Sequence, residues 1–132
     1  MNRRQIKQIA AFFKRTPEVV LAYLFGSTVS GKQHAGSDVD IAVLFEREPE
    51  FEAILEMRGA LEDIVHKDVD IILFHSAPPV LRMQVINKGK ELFCRDQKTK
   101  FRFIINAFNE YEDLKYYQNM FHKNLLEKPI LA

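Results

Sequence analysis

Very little in this chain is set aside for covalent or metal staples: among 132 residues there is one cysteine and no tryptophan. The lone Cys94 excludes an intramolecular disulfide and any Cys-x-x-Cys metal or redox site. Glycine and proline, five of each, are scattered at natural punctuation points, and no repeat or low-complexity tract occurs. No sign of charge dominates. The 19 Lys+Arg set against 18 Asp+Glu leave a net +1, which argues against a protein whose main task is to grip nucleic-acid backbone. No stretch approaches the ~18 apolar residues of a membrane span, and Met1 to Lys7 lacks the apolar run of a signal peptide. The expectation is a cytoplasmic protein. What is present, 47% hydrophobic and 28% charged residues, is the balance of a globular domain, and the length predicts one domain over residues 1–132.

Periodicity divides the chain into alternating elements. Ile6, Ile9 and Phe13 recur at helical spacing, predicting an amphipathic helix from about Arg3 to Arg15 that Thr16-Pro17 stops. Val19 to Phe25 is unbroken apolar sequence, as in a strand buried on both faces. A loop of Gly, Ser, Thr and Lys leads to a second strand, Asp38 to Phe45. Phe51, Ile54, Met57, Leu61 and Ile64 mark a helix after Pro49. Val69 to Phe74 reads as a third strand, Pro78-Pro79 as the first turn of a helix ending at Gly89, and Glu91 to Cys94 as a short strand. From Lys98 to about Leu125, apolar residues at 101, 104, 108, 111, 114, 117, 121 and 125 keep helical period. The predicted class is α/β (α+β), a small mixed sheet flanked by helices with a long C-terminal helix.

The informative segment is Gly26-Ser27, ten residues, then Asp38-Val39-Asp40. A glycine and a hydroxyl at the end of a buried strand let backbone N–H groups approach phosphate oxygens closely. Asp38 and Asp40, two apart on a strand, put both carboxylates on one face with Cα atoms roughly 7 Å apart. Like charges so placed repel, and apolar neighbours raise the cost. A divalent cation relieves it, and all-oxygen ligands suit Mg²⁺. Asp70, bracketed by Val69 and Ile71 in the next strand, would bring a third carboxylate to the same rim; Asp68 competes for that place from the strand's entry. Gly-Ser alone is only a turn and Asp-x-Asp alone is common in solvated loops. Their order on successive predicted strands points to two-metal phosphoryl or nucleotidyl transfer.

This pattern is the Gly-Ser-x10-Asp-x-Asp signature and resembles the minimal nucleotidyltransferases of the DNA polymerase β-like superfamily. Val69 to Leu73 resembles that family's third-carboxylate strand, and Ala77 to Leu81 leading to Asn87–Phe93 resembles the segment after it. The likeness covers a catalytic core of about residues 18–95. Compact members with a long C-terminal helix, here about residues 98–125, resemble the antitoxins of HEPN–MNT toxin–antitoxin pairs. The resemblance implies transfer of AMP from ATP to a tyrosine hydroxyl of a HEPN ribonuclease toxin. It implies two Mg²⁺ ions on Asp38, Asp40 and Asp70, and phosphate contacts from Gly26 and Ser27. Lys32 is a candidate for a further phosphate contact and equally a solvated loop lysine; His34 reads better as a spectator than as a general base.

Beyond the nucleotide core the chain has only its last helix, so the acceptor is expected on another macromolecule rather than in a pocket of its own. Most aromatic residues of that helix are expected to pack on the sheet, with Phe103 and Tyr116 off the stripe and free to meet a partner. Two other readings stand beside this one: a binding antitoxin that silences its partner without catalysis, and an antibiotic-type small-molecule nucleotidyltransferase. Direct nucleic-acid binding is not expected. The chain is not itself read as a HEPN toxin, because Arg58 and His66 are too far apart for Arg-x4–6-His.

Overall fold

The structure, a computed structural model, describes residues 1–26 and 38–127. Helix α1 (Arg3–Lys14) leads into strand β1 (Val19–Phe25). Strand β2 (Val39–Phe45), helix α2 (Phe51–Val65) and strand β3 (Val69–Leu73) follow, then a 3-10 turn (Phe74–Ser76). Helix α3 (Pro79–Lys88), strand β4 (Lys90–Cys94) and helix α4 (Gln97–His122) complete the order, ending in a π-helical turn, Lys123–Glu127. The mixed α/β class predicted from sequence is the class observed.

Local chemistry explains the boundaries. Asn2 and Gln5 form a reciprocal capping box at the start of α1, at 2.8 and 3.1 Å. Pro79 opens α3, where its missing N–H costs nothing. Asp96 caps α4, accepting from Lys98 N–H and from the Thr99 hydroxyl; the hydroxyl bond, first, and the N–H hold its carboxyl below the ordinary range. Gly89 ends α3 in extended rather than left-handed geometry. Its need for glycine is room, since a Cβ there would collide with the Val85 carbonyl and crowd that of Leu24.

The sheet order is β3-β2-β1-β4, with β1 antiparallel to both β2 and β4 and β2 parallel to β3. On one face α1 and α2 cover Val39, Ile41 and Val43 with Ile9, Phe13, Met57 and Leu61. On the other, Ala42 and Leu44 meet Phe74, Val85 of α3 and Phe103 of α4. A bulge between Val19 and Leu21 shifts which β1 residues point to each face. Arg95 ties the C-terminus of α1 to the sheet, donating to the Val19, Phe13 and Thr16 carbonyls at 2.8, 2.9 and 3.0 Å.

Helix α4 corrects the predicted stripe. The side that packs runs through Phe103, Ile104, Ala107, Tyr111 and Leu114, with Ala107 fully buried, whereas Phe101 and Phe108 are 60% and 49% exposed. Phe103, expected to face a partner, stacks edge-on against Phe74 with ring centroids 4.7 Å apart. Tyr116 is exposed as expected. The helix is apolar on two adjacent sides, and small Ala107 lets the Phe103 side come close. Phe103→Ala should therefore lower stability by about 2 kcal/mol, whereas Phe108→Ala in the isolated chain should change it by less than about 0.5 kcal/mol. Chemical denaturation of the two variants measures the contrast.

Candidate functional site

The carboxylates sit where β2 and β3 begin and β1 ends. Asp40 pairs in register with Asp70 across the parallel β2–β3 ladder and with Phe25 across the antiparallel β1–β2 ladder. Alternation puts Asp40 with Ala42 and Leu44, and Asp70 with Ile72, so both carboxylates lie on the face that α3 and α4 cover. Asp38 stands just before β2, exposed, and Asp70 is exposed in β3, while Asp40 is half-buried. Between the two competing aspartates, register favours Asp70. Asp68 lies before β3, where its carbonyl accepts from Val39 N–H at 2.8 Å and so holds the two strand starts together.

Gly26 shapes the site from β1. It stands at φ +84°, and a Cβ built on it would run into the Asp40 carboxylate. The backbone angle calls for glycine there, and any side chain would displace the Asp40 carboxylate. Burial first, then the charges of Asp70 and Asp38, raise the Asp40 carboxyl above the ordinary carboxylate value. The three carboxylates thus share one field. Ser27, Lys32 and His34 lie outside the described residues.

The donor set bears on what ion it could hold. Among the described residues no three acidic, histidine or cysteine side chains gather closely enough to grip an ion by themselves. The protein supplies oxygen ligands for part of a coordination shell, and water and nucleotide phosphate would supply the rest; that division suits Mg²⁺. A cleft of about 760 Å³ lies instead against α1 and α2, lined by Phe12, Phe45, Met57 and a rim of glutamates. Size does not locate this site; the carboxylates and the glycine do.

Sequence reasoning missed one positioning residue. Glu62 of α2 accepts from Val69 N–H at 3.0 Å, fixing the first residue of β3 one position before Asp70. Its Arg58 neighbour at i−4, 3.5 Å away, gives it the look of an ordinary surface pair.

A strand-end glycine against paired carboxylates on adjacent parallel strands defines a nucleotidyltransferase rim. The chain belongs to the family described as "Polymerase beta, Nucleotidyltransferase", whose model matches residues 7–98. Among individual proteins, it is 36% identical over 99 residues to the protein adenylyltransferase MntA of Shewanella oneidensis, covering 75% of this chain and 70% of that one. In fold it is similar to a chain of a toxin–antitoxin crystal structure with AMP-PNP, at TM-score 0.74 and 30% identity, covering 96% of this chain and 99% of that one. It is also similar, at TM-score 0.73 and 27% identity, to a chain of the complex of tri-AMPylated Shewanella oneidensis HEPN toxin with MNT antitoxin, covering 96% and 99% of the two chains. Among the described residues no helix is long and apolar enough to cross a membrane.

Proposed function

We propose that this chain is an antitoxin that transfers AMP from ATP to a hydroxyl, a tyrosine in the family pattern, of a partner HEPN ribonuclease, and so neutralises it. The observation that carries the reading is the in-register Asp40–Asp70 pair against Gly26, in a chain whose likeness to the solved toxin–antitoxin structures extends through α4. Residues 1–132 act as one nucleotidyltransferase unit in the cytoplasm, where ATP is available. Asp38, Asp40 and Asp70 would hold two Mg²⁺ ions. Those ions would polarise the α-phosphate and lower the pKa of the acceptor hydroxyl.

The chain's own groups do the placing. Asp40 and Asp70, fixed on neighbouring strands, set where the α-phosphate lies, and the bare Gly26 backbone leaves room for the phosphates beyond it. Ser27 contributes a hydroxyl to the β- and γ-phosphate oxygens, and Lys32 a charge. The acceptor hydroxyl gives up its proton to solvent, its oxygen bonds to the α-phosphorus as the bond to the bridging oxygen breaks, and pyrophosphate leaves.

Incubating the chain with ATP, Mg²⁺ and a HEPN partner, identified as an Arg-x4–6-His product of a neighbouring gene, should add whole AMP units to that partner, read by intact mass. Asp38→Asn/Asp40→Asn should add none. Neutralisation that survives the double substitution without any mass gain would make this a binding antitoxin. Transfer to a small hydroxylated molecule with no partner present would make it a small-molecule enzyme.

A further inference from the structure

The outer surface of the α1–α2 layer faces away from the carboxylates and carries a charge pattern that the fold does not use. Helix α1 with its cap has five exposed basic residues, Arg3, Arg4, Lys7, Lys14 and Arg15, and no acidic one. Helix α2 beside it has Glu52, Glu56 and Asp63 exposed at i, i+4 and i+11. The loop entering α2 adds Glu46, Glu48 and Glu50 around Arg47. Among the described residues none of the α1 bases, and none of Glu52, Glu56 or Asp63, takes part in an ion pair.

Gly59 is an independent observation. It lies between Glu56 and Asp63 on the outward side of α2, and a Cβ there would meet nothing within 4 Å. Glycine weakens a helix interior relative to alanine, and nothing among the described residues requires it at this point. It provides a flat place where another helix can come close.

The two helices run antiparallel. Gln5 Nε2 near the start of α1 donates to the Ile64 and Val65 carbonyls at the end of α2, at 3.4 and 3.5 Å, while Phe12 and Thr16 share a cleft with Ala53 and Met57 near its start. A basic strip and an acidic strip therefore lie side by side. We propose that this layer is the interface of a two-fold homodimer in which α1 of each copy lies on α2 of the other. Charge selects the geometry. A two-fold axis running along the helices, between them, sets each basic strip on the other copy's acidic strip; an axis across them would set base on base and acid on acid. Helices of this length make a patch roughly 20 Å on a side, at the small end of specific interfaces, so the dimer is weak and salt-sensitive. It leaves the opposite sheet face, with Asp40, Asp70 and α4, open for nucleotide and acceptor.

Sedimentation velocity of the purified chain at high micromolar concentration should show a dimer at about 50 mM NaCl and a monomer at about 500 mM. Glu52→Lys/Glu56→Lys and Lys14→Glu/Arg15→Glu should each be monomeric alone and associate when mixed, because the antiparallel register sets Lys14 and Arg15 of one copy against Glu52 and Glu56 of the other and both contacts of the mixed pair are complementary. Gly59→Leu should raise the melting temperature yet lower the dimer fraction, which a merely misfolded variant cannot do. A monomer at low salt, a dimer indifferent to both reversals, or variants that stay apart when mixed would overturn the proposal. A dimer dissolved by Phe101→Glu/Ile105→Glu but not by the reversals would place the interface on α4 and overturn it too. So would a low-salt monomer whose α2 reversal releases a bound basic protein.

Discussion

Asp40→Asn is expected to reduce AMP transfer by about a thousandfold or more while leaving the chain folded and more heat-stable. Both halves follow from one charge. Burial and the neighbouring carboxylates of Asp70 and Asp38 raise the Asp40 carboxyl, so the folded chain binds that proton more tightly than the unfolded chain. The resulting stability is present below the ordinary carboxylate value and is lost as pH rises through the raised one. At neutral pH the charge on Asp40 therefore counts against the fold, and an amide of the same shape removes it. In the proposed reaction that same charge would hold the cation on the triphosphate. Adding Mg²⁺ should accordingly raise the melting temperature of the native chain and leave that of Asp40→Asn where it was. Asp70→Asn should lose transfer to a similar degree, whereas Asp68→Asn should stay within about threefold, since Asp68 contributes its carbonyl to the strand start and not a carboxylate in register. Equal losses at Asp68 and Asp70 would move the third carboxylate to the strand's entry.

Where the sequence was legible, one side of each element was chemically unlike the other. Strand β2 alternates Asp40, Ala42 and Leu44 with Val39, Ile41 and Val43, and a buried strand's period puts the aspartate on a definite face. The third strand ends one residue short of the Val69–Phe74 that the sequence predicts, because Phe74 turns into a 3-10 turn that buries its ring on the α3–α4 side. In α4 the two candidate stripes are both aromatic, so periodicity fixes a helix without saying which side meets the sheet. Phe103 wins because Phe74 stands opposite it, a contact between residues 29 positions apart in sequence. Gly89 illustrates the same limit. Its place as a helix stop was legible, but the carbonyls of Val85 and Leu24 that exclude a side chain belong to a preceding helix and a distant strand. Local pattern reports which residues must be buried or bent; only the assembled chain reports against what.

Gly26→Ala is expected to lower transfer by about a hundredfold and stability by about 1–2 kcal/mol, and the two losses have separable causes. The stability loss comes first from the backbone. At φ +84° an alanine carries the left-handed penalty that glycine escapes. The activity loss comes from the side chain, because the new methyl occupies the place of the Asp40 carboxylate and pushes it off the rim. The two can be told apart with a second substitution. Asp40→Ala removes the group that the methyl meets, so in that background Gly26→Ala should cost only the backbone part, and the difference between the two backgrounds measures the contact. If Gly26→Ala costs the same with and without the Asp40 carboxylate, the glycine serves the turn alone and Asp40 is seated by its strand. If transfer survives Gly26→Ala within a few-fold, the close approach of backbone to carboxylate is not what positions the rim. The expected outcome is a cost that shrinks when the carboxylate is gone, which would make Gly26 the seat of Asp40 as well as the end of β1.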